Sequence, residues 1–207
     1  MARSRSRLVV LAAAALAGGA LTVAGAAPSP ATQSAAEDVY PRDITPPAGT
    51  QYPCALTALP RALPGIPEAD RAYINRTYAR ILRATQAKLV LLKALEESRD
   101  LPAAGARYEE AARPLAARLH AEPAPDGLGG FQEDVGQALA LQQAFFAKAV
   151  PLREAGRSMA DVYRLAEGRQ ASARLISAWG RMQARYPGWS SETSNSIYHH
   201  LCALDLF

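Results

Sequence analysis

Apolar residues recur at helical spacing along almost the whole chain beyond residue 67. From Pro67 to about Ser98, the residues Ile74, Tyr78, Ile81, Leu82, Leu89 and Leu92 return to one face at ~100° per residue. Proline suits a first helical turn, and Glu68 and Asp70 favour the positive end of the macrodipole, so the pattern predicts one helix of roughly 45–50 Å. Asp100 is the expected cap of a second helix, whose stripe of Leu101, Tyr108, Ala112, Leu115 and Leu119 keeps its phase through Pro114 and predicts a kink there. The run AEPAPDGLGG from Ala121 to Gly130 is a loop. A third helix follows with Phe131, Val135, Ala138, Leu139, Phe145, Phe146 and Ala149 on one face, ending at Gly156. Ser158 stands three residues before Asp161 in the spacing of a capping box, so Gly156-Arg157-Ser158 predicts a tight turn between antiparallel neighbours.

The fourth segment, Met159 to Tyr186, changes its stripe. Met159, Val162 and Ala166 share one face, whereas Leu175, Trp179, Met182 and Tyr186 share another, and the change falls at Gly168-Arg169-Gln170. Either the helix breaks there, or its halves face different partners: the first set the third helix, the second set the first or last helix. Pro187-Gly188 ends it, and serines after Trp189 offer caps for a final helix over Thr193 to Phe207 that faces Ile197, Leu201 and Leu204 inward. With no alternation of β type, the expected fold is all-α: a bundle of four principal helices plus a short C-terminal one.

The N-terminal region follows different rules. Arg3, Arg5 and Arg7 precede an apolar run from Leu8 to Ala24, and Ala24-Gly25-Ala26 has the small residues of a cleavage site, so residues 1–26 read as a signal peptide. An uncleaved anchor is the competing reading, weakened by Gly18, Gly19 and Thr22. Residues 27–53 are rich in proline among Ala, Ser, Thr and Gly, and are expected to be a largely disordered leader. Cys54 to Leu63, interrupted by Pro60, would be a clasp on a single helical domain spanning 54–207.

Cleavage would remove 26 of 207 residues, three of them arginine and none acidic, and lower the formal charge from +4 to +1. The basic balance therefore does not argue for nucleic acid as a partner. Only two cysteines occur, Cys54 and Cys202, at the two ends of the expected domain. In an exported chain their simplest state is one disulfide, and secretion or residence in a periplasm is the expected localisation.

Chemistry is sparsely signalled. The adjacent pair His199-His200 is a weak metal or haem candidate, because neighbouring helical side chains diverge by ~100° and neither has a ligand at i+4. One histidine at a rim and one in water is the alternative. Ser196 lies one turn before His200, without the orienting acid and oxyanion donors that nucleophilic catalysis needs. Six polar residues interrupt the apolar stripes: Thr85, Lys88 and Glu96 on the first helix, Gln142 and Arg153 on the third, and Arg169 on the fourth. If they converge, they form a core site for an anionic metabolite. If they do not, they are stripe-edge residues with Gln142 hydrogen-bonded inside.

No cofactor motif is present, so the primary expectation is a secreted or periplasmic helical binding or interaction module, with an unknown protein or small molecule as its partner. A small all-α enzyme acting on an anionic metabolite is the first alternative. A His-based metal or haem carrier is the second.

Overall fold

A computed structural model describes residues 44–54, 56 and 65–206. The signal segment, the leader before residue 44, most of the clasp and Phe207 lie outside the described residues. Among the described residues there are six helices and no strand: α1 Glu68–Glu97, α2 Leu101–Ala121, α3 Gly129–Glu154, α4 Met159–Tyr163, α5 Ala166–Arg185 and α6 Ser191–Leu204. None is long and apolar enough to cross a membrane.

The long helix α1, 30 residues or about 45 Å, packs against α2 and α6. The stripe residues of α2 and α3 named above are all buried. Around them the interior divides into two apolar clusters. One joins Tyr73, Ile74, Tyr78 and Ile81 of α1 to Phe131, Val135 and Leu139 of α3, Met182 of α5 and Leu201 of α6. The other joins Leu91 and Leu95 to Tyr108, Phe145, Phe146, Val162 and Leu206. Removing such a side chain from water contributes roughly 1.5–3 kcal/mol, and these clusters fix how the helices lie. Toward the end of α1 the stripe drifts: Leu91 and Leu95 are buried, and Leu92 only partly so.

Helix ends explain the connections. Gly156 takes φ +76° just past α3, Arg157 N donates to Leu152 O at 2.9 Å, and Gly156 N donates to Arg153 O at 3.0 Å. This pair of bonds is a Schellman stop. Ser158 and Asp161 then form the capping box that starts α4. At the end of α1 the same motif is built on Ser98 at φ 51°, with Arg99 N donating to Ala94 O at 3.1 Å. Asp100 precedes α2 as expected, but at φ 55° its side chain makes no capping bond. Helix α2 runs unbroken through Pro114.

The fourth segment is two helices, and the break falls at Arg164-Leu165, before Gly168. The expected division of partners is corrected by this break. Leu175 and Met182 of α5 pack with Phe131, Val135 and Leu139, so α5 lies mainly along α3, as α4 does. The two-residue interruption resets the helical phase, so two differently phased stripes meet one neighbour. Trp179 does reach the last helix, with its ring 5.7 Å from that of Tyr198, but it is half-buried rather than a core residue.

The disulfide Cys54–Cys202 is present, with Cα atoms 6.6 Å apart and a sequence separation of 148. Just before it, residues 44–53 follow a defined path along α1, unlike the disordered leader expected for them. Thr50 N donates to Pro47 O at 2.9 Å in a turn with Gly49 at φ +73°, and Lys93 Nζ donates to Gly49 O at 3.1 Å. Gln86 Nε2 donates to the Tyr52 hydroxyl at 3.2 Å. Side chains of α1 thus supply the donors that this proline-rich strap lacks.

Candidate functional site

A helix leaves its last carbonyls without donors, and a cation in the final turn commonly answers them. Neither α1 nor α6 has a basic residue in its last turn. The stripe-interrupting polar residues supply those donors from other helices.

Lys88 is 1% exposed, and its Nζ donates to Ala203 O at 2.7 Å and also to Asp205 O, at the end of α6. Burial pushes this ammonium down from its ordinary value to about 7, while the Asp205 carboxylate acts in the opposite direction. Gln142 is fully buried and donates from Nε2 to Leu204 O at 2.7 Å, while its Oε1 accepts from the Tyr108 hydroxyl at 3.3 Å. Two helices therefore close the final turn of a third. Asp205 completes the arrangement, its Oδ1 accepting from Ser172 Oγ at 2.5 Å and from Leu206 N at 2.7 Å.

Arg153 does the same at the C-terminal end of α1. Its Nε donates to Leu95 O at 2.8 Å, its Nη2 reaches Glu96 O and Ser98 Oγ, and its Nη1 reaches Arg157 O. One guanidinium ties the end of α1 to the turn after α3. Gln132, which the periodicity did not single out, answers the end of α2 through Glu122 O at 2.5 Å and Leu119 O.

The six polar residues are thus divided. Thr85 and Lys88 are buried one turn apart on α1, and Gln142 reaches the same helix end as Lys88. Thr85 Oγ1 is buried with no hydrogen-bond partner among the described residues. Arg153 is engaged elsewhere, and Glu96 and Arg169 are exposed. Of the buried three, Lys88 and Gln142 meet around the backbone carbonyls that end α6.

His200 lies deeper than a rim position, 1% exposed, with its ring 4.8 Å from that of Tyr78. Nδ1 is 2.7 Å from Ser196 O, a geometry that puts a proton on that nitrogen. Burial holds the imidazole below its usual pKa, with the Ser196 carbonyl opposing it. His199 is half-buried. Ser196 Oγ is buried and makes no bond to the imidazole. Among the described residues no group of three His, Cys, Asp or Glu side chains could hold a metal ion.

A second buried acid joins α3 to α5. Asp134 is 1% exposed and accepts from Arg181 Nε at 2.6 Å, Ser177 Oγ at 2.7 Å and Arg174 Nη1 at 3.4 Å. Burial pushes its carboxyl up, but these three donors outweigh it and hold the pKa below the usual range.

Recesses lie on the surface. Between α3 and α5 a broad one of about 630 Å³ is walled by Gln137, Gln170, Arg174 and Ser177 around Leu141. Between α2 and α3 a recess of about 410 Å³ is mostly apolar, with Gly105, Ala106 and Ala147 set between the larger Leu101, Phe146 and Val150. Neither is lined by any of the six stripe-interrupting residues. The sequence signal for the apolar recess is the small residues one turn from large ones on facing helices, which periodicity alone reads as ordinary helix surface.

No protein-family model, curated protein or solved structure matches the chain.

Proposed function

We propose that this chain is a disulfide-fastened helical-bundle binding module, acting outside the cytoplasm in a secreted or periplasmic state after residues 1–26 are removed. The basic start, the apolar run and the small-residue triplet support export, and the cysteine pair suits an oxidising compartment.

The observation that carries the reading is the apolar recess between α2 and α3. Its small residues let a ligand approach the helix backbones, while Leu101, Phe146 and Val150 offer apolar contact on either side. The interior polar residues favour a module over a core-site enzyme, because Lys88, Gln142 and Arg153 are engaged with the protein's own carbonyls.

The test is mass spectrometry of what accompanies the protein when it is recovered from the export compartment, compared with the recess-filling variants Gly105→Leu and Ala147→Leu. A partner or small molecule enriched with the wild type and lost from both variants supports the proposal. Identical companions in all three proteins, or none in any, count against it.

A further inference from the structure

We propose that the apolar recess between α2 and α3 selects a small primary amine, an apolar body that carries one ammonium group. The proposal rests on the reading of that recess as the binding site and names the chemistry of its ligand.

The apolar lining sets the body of the ligand. Leu91, Leu101, Tyr108 and Phe146 are its buried members, and Phe146 is held by edge contacts with Tyr108 and Phe145, at 4.6 and 5.2 Å between ring centroids. Gly105 leaves the space open, since a Cβ there would meet only Val150 Cγ2, at an ordinary contact distance of 3.9 Å. At roughly 30 Å³ per water in the liquid, 410 Å³ is the room of about fourteen waters and suits a molecule of about ten heavy atoms.

The polar groups set its charge. The Tyr108 hydroxyl is engaged with Gln142, and among the described residues that line the recess Glu109 is the one charged side chain. Its Oε2 accepts from Gln143 Nε2 at 3.2 Å and from Arg113 Nη2 at 3.4 Å, while its Oε1 accepts no bond from the described residues. The Arg113 side chain is 76% exposed, so this ion pair is a weak competitor. Ala147 stands one turn, about 6 Å, beyond Gln143 on α3. Pro151 has no N–H, so the Ala147 carbonyl lacks the donor that an uninterrupted helix would give it, and both residues line the recess. The carboxylate oxygen and the carbonyl are both acceptors. A primary ammonium, like that of lysine, offers three donors and no acceptor, and its charge complements Glu109 beside apolar groups, where attraction is less screened than in water. An anionic ligand meets only repulsion from the same carboxylate.

The experiment is calorimetric titration of the full chain at pH 7 with three ligands of similar shape: 3-phenylpropylamine, 3-phenylpropan-1-ol and 3-phenylpropanoate. Saturable one-to-one binding of the amine is expected, tighter than that of the alcohol by about tenfold or more, with no binding of the acid. Glu109→Gln keeps an acceptor for Gln143 and should bring the amine to the affinity of the alcohol, whereas Glu110→Gln, outside the recess, should change nothing. Gly105→Leu should abolish binding of both. Equal affinity for all three ligands, lost in Gly105→Leu, would overturn the amine selectivity while leaving the recess as an apolar binding site. Failure of the amine to saturate overturns the proposal, as does wild-type amine affinity in folded Glu109→Gln. Failure of the underlying reading shows separately, as native companions unaffected by the recess-filling variants.

Discussion

The Nζ of Lys88 lies 2.7 Å from the carbonyl oxygen of Ala203, 115 residues further along the chain. The bond joins the middle of the longest helix to the end of the last one, one residue past the disulfide at Cys202. Lysine here is both a buried charge and a helix cap, and the two roles make its protonation matter for stability.

Lys88 titrates near 7 in the fold and near 10.5 when exposed, so between these values the unfolded chain binds more protons than the folded one. Stability should therefore rise with pH from about 7 towards 10, with a slope approaching one proton. Below 7 this group gives no pH dependence. Above about 10 the trend should reverse, because burial raises Tyr73 to about 12 and Tyr78 well above its ordinary value, and the unfolded tyrosines ionise first. Lys88→Met removes the rise between 7 and 10. Urea unfolding of both proteins across this range checks it, and a parallel pH profile in the variant would contradict the assignment.

Cys54→Ser or Cys202→Ser should loosen the strap at residues 44–54 and α6 together. The loop-entropy relation for a closure of this length gives a ceiling of about 5 kcal/mol, and measured losses commonly fall below it. Hydrogen exchange should rise at Thr50, along Ser191–Leu204 and at the Lys88 contact, while α3 and α5 keep their protection. Uniform loss of protection throughout the bundle would show that the bond does more than hold its ends.

Asp134→Ala should destabilise the α3–α5 contact by about 1–3 kcal/mol, below the value for a fully buried pair because Arg174 and Arg181 are half exposed. The folded carboxyl sits below its ordinary pKa, so its contribution is present at neutral pH and declines as pH falls through the acid range. Asp134→Asn keeps the bond from Ser177 and should lose the acid dependence. Denaturation at pH 7 and pH 4 separates the two effects. Equal stability losses in Asn and Ala variants would assign the contribution to charge alone.

Gly156→Ala should cost on the order of 1 kcal/mol, because φ +76° places a side chain against the following carbonyl. The open space around the site leaves backbone conformation as the only source of that cost. A melting temperature equal to wild type would mean that the turn adopts another conformation.

What the sequence determined by itself was everything that depends on short-range spacing. The stripes of α2 and α3, the Schellman stop at Gly156, the capping box of Ser158 and Asp161 and the serine start of α6 follow from residues within one or two turns of each other. The disulfide was legible too, because a chain with only two cysteines has a single possible internal pairing. Tertiary structure decided the rest. Lys88, Gln142 and Arg153 look alike in sequence, as polar breaks in apolar stripes, yet their role depends on which distant helix end lies within hydrogen-bond reach. The phase break at Arg164-Leu165 was misplaced by a few residues, because a short helix is held by its cap and its neighbour α3 rather than by its own propensity.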